Sequence, residues 1–108
     1  MFKKEKCVPC QGGIPPLQSQ EIKKYQKFLG VEWVVDENIK LSKDFLFDNY
    51  NGAIKFSNLV ADLAEEEAHH PYIHINFKTV KIILFTHKIN GLHKNDFLMA
   101  SKIDDLYI

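Results

Sequence analysis

A proline at position 71 separates two stretches whose apolar residues repeat with different periods. Before it, Ile54, Phe56, Leu59, Val60, Leu63 and Ala64 recur at helical spacing. They predict the strongest helix of the chain, roughly residues 51 to 68, capped by Asn49 or Asn51. Pro71 ends it, because the residue before a proline is pushed out of the α region. After it, Ile73, Ile75 and Phe77 alternate with His74 and Asn76, the pattern of a half-buried strand. Lys78-Thr79 can turn the chain, and Val80 to Phe85 is a denser apolar run that reads as a central strand.

The flanking segments complete the order. Ser19-Gln20-Glu21 opens an earlier helix with Ile22, Tyr25, Phe28 and Leu29 on one face, and Gly30 ends it. Trp33-Val34-Val35 is β-prone and Asp36-Glu37-Asn38 reads as a turn. Ile39, Leu41, Phe45 and Phe47 then give the apolar side of a longer strand, broken at Lys43. Beyond Asn90-Gly91, Phe97, Ala100 and Ile103, with Leu98 and Leu106, make a last helix. The order α-β-β-α-β-β-α predicts an α+β two-layer domain, a four-stranded antiparallel sheet with three helices packed on one face.

The 108 residues fit a single domain, 1–108, with residues 1–16 as an irregular arm. A chain of this size buries roughly two-thirds of its unfolded surface, and 45% apolar residues can supply the core. Fourteen Lys and Arg balance fourteen Asp and Glu, which leaves no electrostatic footprint for nucleic acid or an anionic membrane. No apolar run reaches the ~18 residues of a bilayer span. Met1-Phe2-Lys3-Lys4-Glu5-Lys6 is followed by no apolar stretch, so no secretory signal is expected and the cytoplasm is the expected location. Cys7 and Cys10 are too few for a disulfide-stapled fold, and two thiolates do not complete a zinc site. Pro9, Gly12, Gly13, Pro15 and Pro16 surround them, so they read as reduced thiols on the arm.

All five histidines, 69, 70, 74, 87 and 93, fall in one quarter of the chain. Histidine gives and takes protons near neutral pH with little tuning. His69 and His70 stand at the C-terminal end of the long helix, where the dipole favours the imidazolium form. The hairpin that follows brings His87 back to face them across one pocket. Glu65, four residues before His69, is spaced to reach its imidazole. Asp96 starts the last helix and can approach from the loop side. Structural readings stand beside these. His-His-Pro also reads as a capped helix end with solvated imidazoles, His74 as a solvent-facing strand residue, and Glu65-Glu66-Glu67 as a solvated face. His93 occupies the usual Ser or Thr capping position, with Asp96 at the third helical position as its capping partner. His69, His70, His74, His87 and a carboxylate could also supply metal ligands, but adjacent histidines rarely aim at one ion, and no metal is expected.

Glu65, His69-His70-Pro71, Phe77, Thr86-His87 and Asp96 together resemble the signature of the pterin-4a-carbinolamine dehydratases. Cys7-Val8-Pro9-Cys10-Gln11-Gly12-Gly13 with Pro15-Pro16-Leu17 is similar to the arm of many bacterial members, and Trp33, Gly91-Leu92 and Ala100-Ser101 also fit. The chain departs from the pattern in spreading the usual Gly-Trp pair to Gly30-Val31-Glu32-Trp33, in His93 for a small hydroxyl residue, and in Ile73 for an aromatic. The resemblance implies loss of water from a 4a-hydroxytetrahydropterin without cofactor or metal. It implies His69 as leading proton-transfer residue, His87 as its partner across the ring, and His70 as a binding group, with Glu65 in the catalytic set. It implies Pro71, Thr86, Lys88, Ile89 and Asp96 as further substrate contacts, and a homodimer or homotetramer. Two other roles belong to the same resemblance: a non-catalytic dimerisation module, since animal relatives partner a transcription factor, and a pterin-binding protein of molybdopterin metabolism.

Overall fold

A computed structural model describes residues 14–29 and 32–107. The cysteine-bearing part of the arm and Gly30 lie outside the described residues. The elements run α1 (Ser19–Gln26), β1 (Val34–Asp36), β2 (Lys40–Leu46), α2 (Tyr50–Glu67), β3 (Tyr72–Asn76), β4 (Thr79–Leu84), a 3-10 turn (His87–Ile89) and α3 (Lys94–Leu106). The strands form one sheet in the order β1-β2-β4-β3, antiparallel throughout, with the helices on one face. This is the α+β architecture that the alternation of periods predicts.

Strand alternation explains the core. Leu41 and Phe45 of β2 and Val80, Ile82 and Leu84 of β4 all point to the helices and are almost fully buried. They meet Phe56, Val60 and Ala64 of α2 and Phe97, Ala100 and Ile103 of α3 in one cluster. The break at Lys43 is accommodated rather than avoided. Lys43 stands opposite Ile82 in the core-facing register. Its ammonium donates to Asp104 Oδ1 at 2.8 Å and lies 4.7 Å from the centre of the Phe45 ring. Trp33 Nε1 donates to the other oxygen of Asp104 at 2.9 Å. A core-facing lysine is tolerated because its stem is apolar and its charge has a partner.

Among the described residues no helix covers the other sheet face. Tyr72, His74 and Asn76 of β3 and Lys81 and Ile83 of β4 lie on it, by the pairings Tyr72 with Ile83 and His74 with Lys81. His74 is exposed there, as its alternation with Ile73 and Ile75 predicts.

Several local expectations are corrected. The first helix ends at Gln26, so Phe28 and Leu29 lie beyond it and Phe28 is half exposed. The helix opens at Ser19, as expected, and its cap is Gln18, whose backbone N–H donates to Glu21. Trp33 precedes β1, and the first hairpin turns at Glu37 to Ile39, with Glu37 and Asn38 both at positive φ. The second hairpin turns at Phe77-Lys78, with Phe77 at φ 55°, because Thr79 is already paired with Asn76. β2 lies inside the sheet, between β1 and β4. Among the described strands the outer positions belong to β1 and β3.

Candidate active site

The C-terminal end of α2 sets the geometry. Asn49 caps its start by accepting the Gly52 N–H at 2.8 Å. At its end Ala68 takes the left-handed conformation at φ 53°, and the His69 N–H returns to the Ala64 carbonyl at 3.1 Å. A left-handed residue without a glycine costs about 1 to 2 kcal/mol. It turns the chain out of the helix one residue before the histidine pair.

That turn changes which carboxylate meets which histidine. The expected pair of Glu65 with His69 does not form, because the two no longer lie one helical turn apart. Glu65 Oε2 is instead 2.9 Å from His70 Nε2, both side chains being largely exposed. His69 Nε2 donates to Asp96 Oδ1 at 2.6 Å. Asp96 is fully buried, and its Oδ2 accepts from Thr86 Oγ1 and from the His93 backbone N–H, each at 2.9 Å. Three donors from three segments thus converge on one carboxylate. With Nε2 as the donor, Nδ1 is the acceptor nitrogen of His69, and it has no partner among the described residues.

Asp96 also completes the cap of α3. His93 Nδ1 accepts the Asn95 N–H at 3.0 Å while the Asp96 side chain takes the His93 N–H, the reciprocal capping arrangement foreseen from the sequence. Burial pushes the His93 imidazole below its ordinary value. Asp96 opposes that, and His69 and Lys94 add to it. A neutral His93 is what the cap needs, because a protonated Nδ1 cannot accept.

The loop that bears His87 is closed at its base. Thr86 N donates to the Gly91 carbonyl at 2.8 Å, and Gly91 N returns to the Thr86 carbonyl at 3.4 Å. Gly91 also lies under Pro16, and a Cβ there would stand 2.5 Å from the Pro16 Cβ, so only glycine fits. Inside the loop His87 and Lys88 are exposed and Ile89 is buried. The His87 ring lies 5.6 Å from that of Tyr72, which follows Pro71. His69-His70-Pro71 and His87 therefore stand at the same end of the β3–β4 hairpin. Among the described residues no three His, Cys, Asp or Glu gather as metal ligands. No described helix is long and apolar enough to cross a membrane.

Two neighbours of His87 escaped the sequence reading. Phe85 reads only as the end of an apolar strand, and nothing in the sequence pattern singles out Tyr72. Continuing the alternation one residue past Leu84 would have put Phe85 on the helix-free face, beside Tyr72.

The arrangement can hand protons to and from a flat polar molecule. The family model described as pterin 4 alpha carbinolamine dehydratase matches residues 15–106. A relative from Alkaliphilus metalliredigens, bearing the name of a pterin-4-alpha-carbinolamine dehydratase, is 46% identical over 93% of this chain and 90% of its own. One of the same name from Methylococcus capsulatus is 44% identical over 94% of this chain and 90% of its own. The crystal structure of a transcriptional coactivator/pterin dehydratase from Brucella melitensis superposes with a TM-score of 0.79 at 28% identity, over 86% of this chain and 99% of that one. A pterin dehydratase-like protein described as a RuBisCO assembly factor of the alpha-carboxysome gives 0.61 at 26% identity, over 70% of this chain and 89% of that one. The chain belongs to the pterin-4a-carbinolamine dehydratase family.

Proposed function

We propose that the chain removes water from a 4a-hydroxytetrahydropterin to give a quinonoid dihydropterin, returning the pterin cofactor of an aromatic amino acid hydroxylase to use in the cytoplasm. The C4a–O and N5–H bonds break, a C4a=N5 double bond forms, and the hydroxyl leaves as water after taking a proton. One group must give a proton and another must take one. His69 is the leading group, working through Nδ1, and His87 is its partner across the ring. His70, steadied by Glu65, binds and orients, while Pro71, Thr86, Lys88, Ile89 and Asp96 complete the surroundings of the pterin. The observation that carries this reading is the bond from His69 Nε2 to the buried Asp96 Oδ1 at 2.6 Å, which fixes the tautomer a proton-transfer group requires. The test is a coupled assay on freshly generated carbinolamine. Turnover well above the spontaneous rate is expected, and folded protein that adds nothing to that rate refutes the reading.

The same reading includes a homodimer or a dimer of dimers. β3 is an open edge, and Ile75, in its core-facing register, is 42% exposed. Edge-to-edge pairing with a second copy would cover both. Light scattering coupled to size exclusion at micromolar concentration should give a multiple of 12.6 kDa, and that mass alone at every concentration rejects it.

A second reading, a protein-binding module without catalysis, draws on the names of the Brucella and carboxysome proteins. It predicts a specific partner kept by a variant lacking His69, His70 and His87, together with no dehydratase activity.

A further inference from the structure

His69 and His70 each have a carboxylate. His87 has none, and among the described residues neither of its ring nitrogens has a hydrogen-bond partner. An exposed imidazole on a loop without such an anchor ordinarily samples several rotamers. Here it lies among rings. Its centroid is 4.1 Å from that of Phe85 and 5.6 Å from that of Tyr72. Tyr72 and Phe85 meet edge to face at 5.6 Å and 83°. The Lys40 ammonium of β2 lies 5.4 Å from the Phe85 ring centre. Tyr72 is exposed on the outer face of the sheet, and Phe85 is half-buried, packed in part against the core.

We infer that Tyr72 and Phe85 are positioning residues for His87, holding the plane of its imidazole by ring contact in place of a hydrogen bond. Aromatic pairs favour tilted and edge-on geometries, so two rings set at different angles restrict the third. A hydrogen-bond anchor occupies one nitrogen, as Asp96 does at His69. Ring contact occupies neither, so both His87 nitrogens stay open to substrate and water. That suits the group that must take a proton on one side and release it on the other. The catalytic consequence rests on the dehydratase reading, whereas the placement of the ring does not.

The experiment has two readouts on Phe85→Leu, Phe85→Tyr and Tyr72→Ala, each checked for wild-type fold by circular dichroism. The first is the carbon-bound proton resonances of the His87 ring, assigned by their loss in His87→Ala. In the wild type the ring current of Phe85 displaces them. In Phe85→Leu, which keeps apolar bulk without a ring, they move toward free-imidazole positions, and in Phe85→Tyr they stay displaced. The second is turnover: Phe85→Leu should lose about tenfold or more in kcat with KM changed by less than about threefold, because a misplaced proton-transfer group costs rate rather than binding. Phe85→Tyr should recover most of the loss, and Tyr72→Ala should show a smaller loss of the same kind. Folded Phe85→Leu with wild-type kcat overturns the inference, and so do His87 resonances that do not move. If the wild-type chain shows no dehydration at all, the functional reading fails, and the resonances alone decide whether the rings position His87.

Discussion

His69 and His87 reach the same end of the sheet with opposite kinds of support. His69 is nearly buried, and one nitrogen is fixed by a carboxylate that is itself held by Thr86 and the cap of α3. His87 is exposed on a short closed loop and lies against Phe85 and Tyr72, without a side-chain hydrogen bond among the described residues. The first kind of support sets a tautomer, and the second sets only a plane. Two imidazoles with the same intrinsic chemistry can thus take different parts in one proton transfer, because surroundings rather than residue type separate them.

The His69 side breaks most severely at Asp96. Asp96→Ala leaves His69, Thr86 Oγ1 and the His93 N–H without their shared acceptor, and a buried partner lost in this way costs about 3 to 5 kcal/mol, read from urea unfolding. Asp96→Asn keeps the shape but not the charge, and should lower kcat by about 10² or more because the His69 tautomer is no longer fixed. Unchanged turnover in Asp96→Asn would separate the carboxylate from the chemistry.

On the other side, Gly91→Ala drives a Cβ to 2.5 Å from Pro16 and strains the loop that carries His87. Overpacking of this kind costs about 1 to 3 kcal/mol, and kcat should fall along with stability. Wild-type stability and turnover in that variant would show that the loop yields without moving His87.

A smaller effect is expected at His93. Its imidazole is held below 6.5, so between its folded value and 6.5 the unfolded chain binds more protons. Stability is therefore fully present above pH 6.5 and is lost as pH falls through that window. His93→Ser keeps a capping oxygen and removes the titration, so the acid-side slope of stability should flatten. An unchanged slope would assign the acid sensitivity to another group. The smallest effect belongs to Glu65. Its pair with His70 is solvent-exposed, and Glu65→Ala should change stability by less than about 0.5 kcal/mol. A larger loss in thermal unfolding would mean that the pair is more than a surface contact.

Much of this was legible in the sequence because the period changes on either side of Pro71 leave little freedom. A helix of 3.6-residue repeat followed by a two-residue repeat had to become α2 and β3, and His93 with Asp96 is a local capping pattern. The partner of His69 was not legible. Sequence spacing assumes that a helix continues, and the left-handed turn at Ala68 carries no glycine to announce it. The ring contacts of His87 depend on which face of the sheet Phe85 takes, a matter of strand register across β3 and β4. The end of α1 was misread because Phe28 and Leu29 continue a helical period that the backbone leaves at Gln26.

The most direct measurement is the rate of 4a-hydroxytetrahydropterin dehydration by His69→Ala, beside the wild type and the spontaneous reaction, with the fold of both proteins verified. Wild-type turnover should stand clear of the spontaneous rate, and the substitution should lower it by about 10 to 10⁴-fold. A folded His69→Ala protein that dehydrates the substrate as fast as the wild type would contradict the account at its centre.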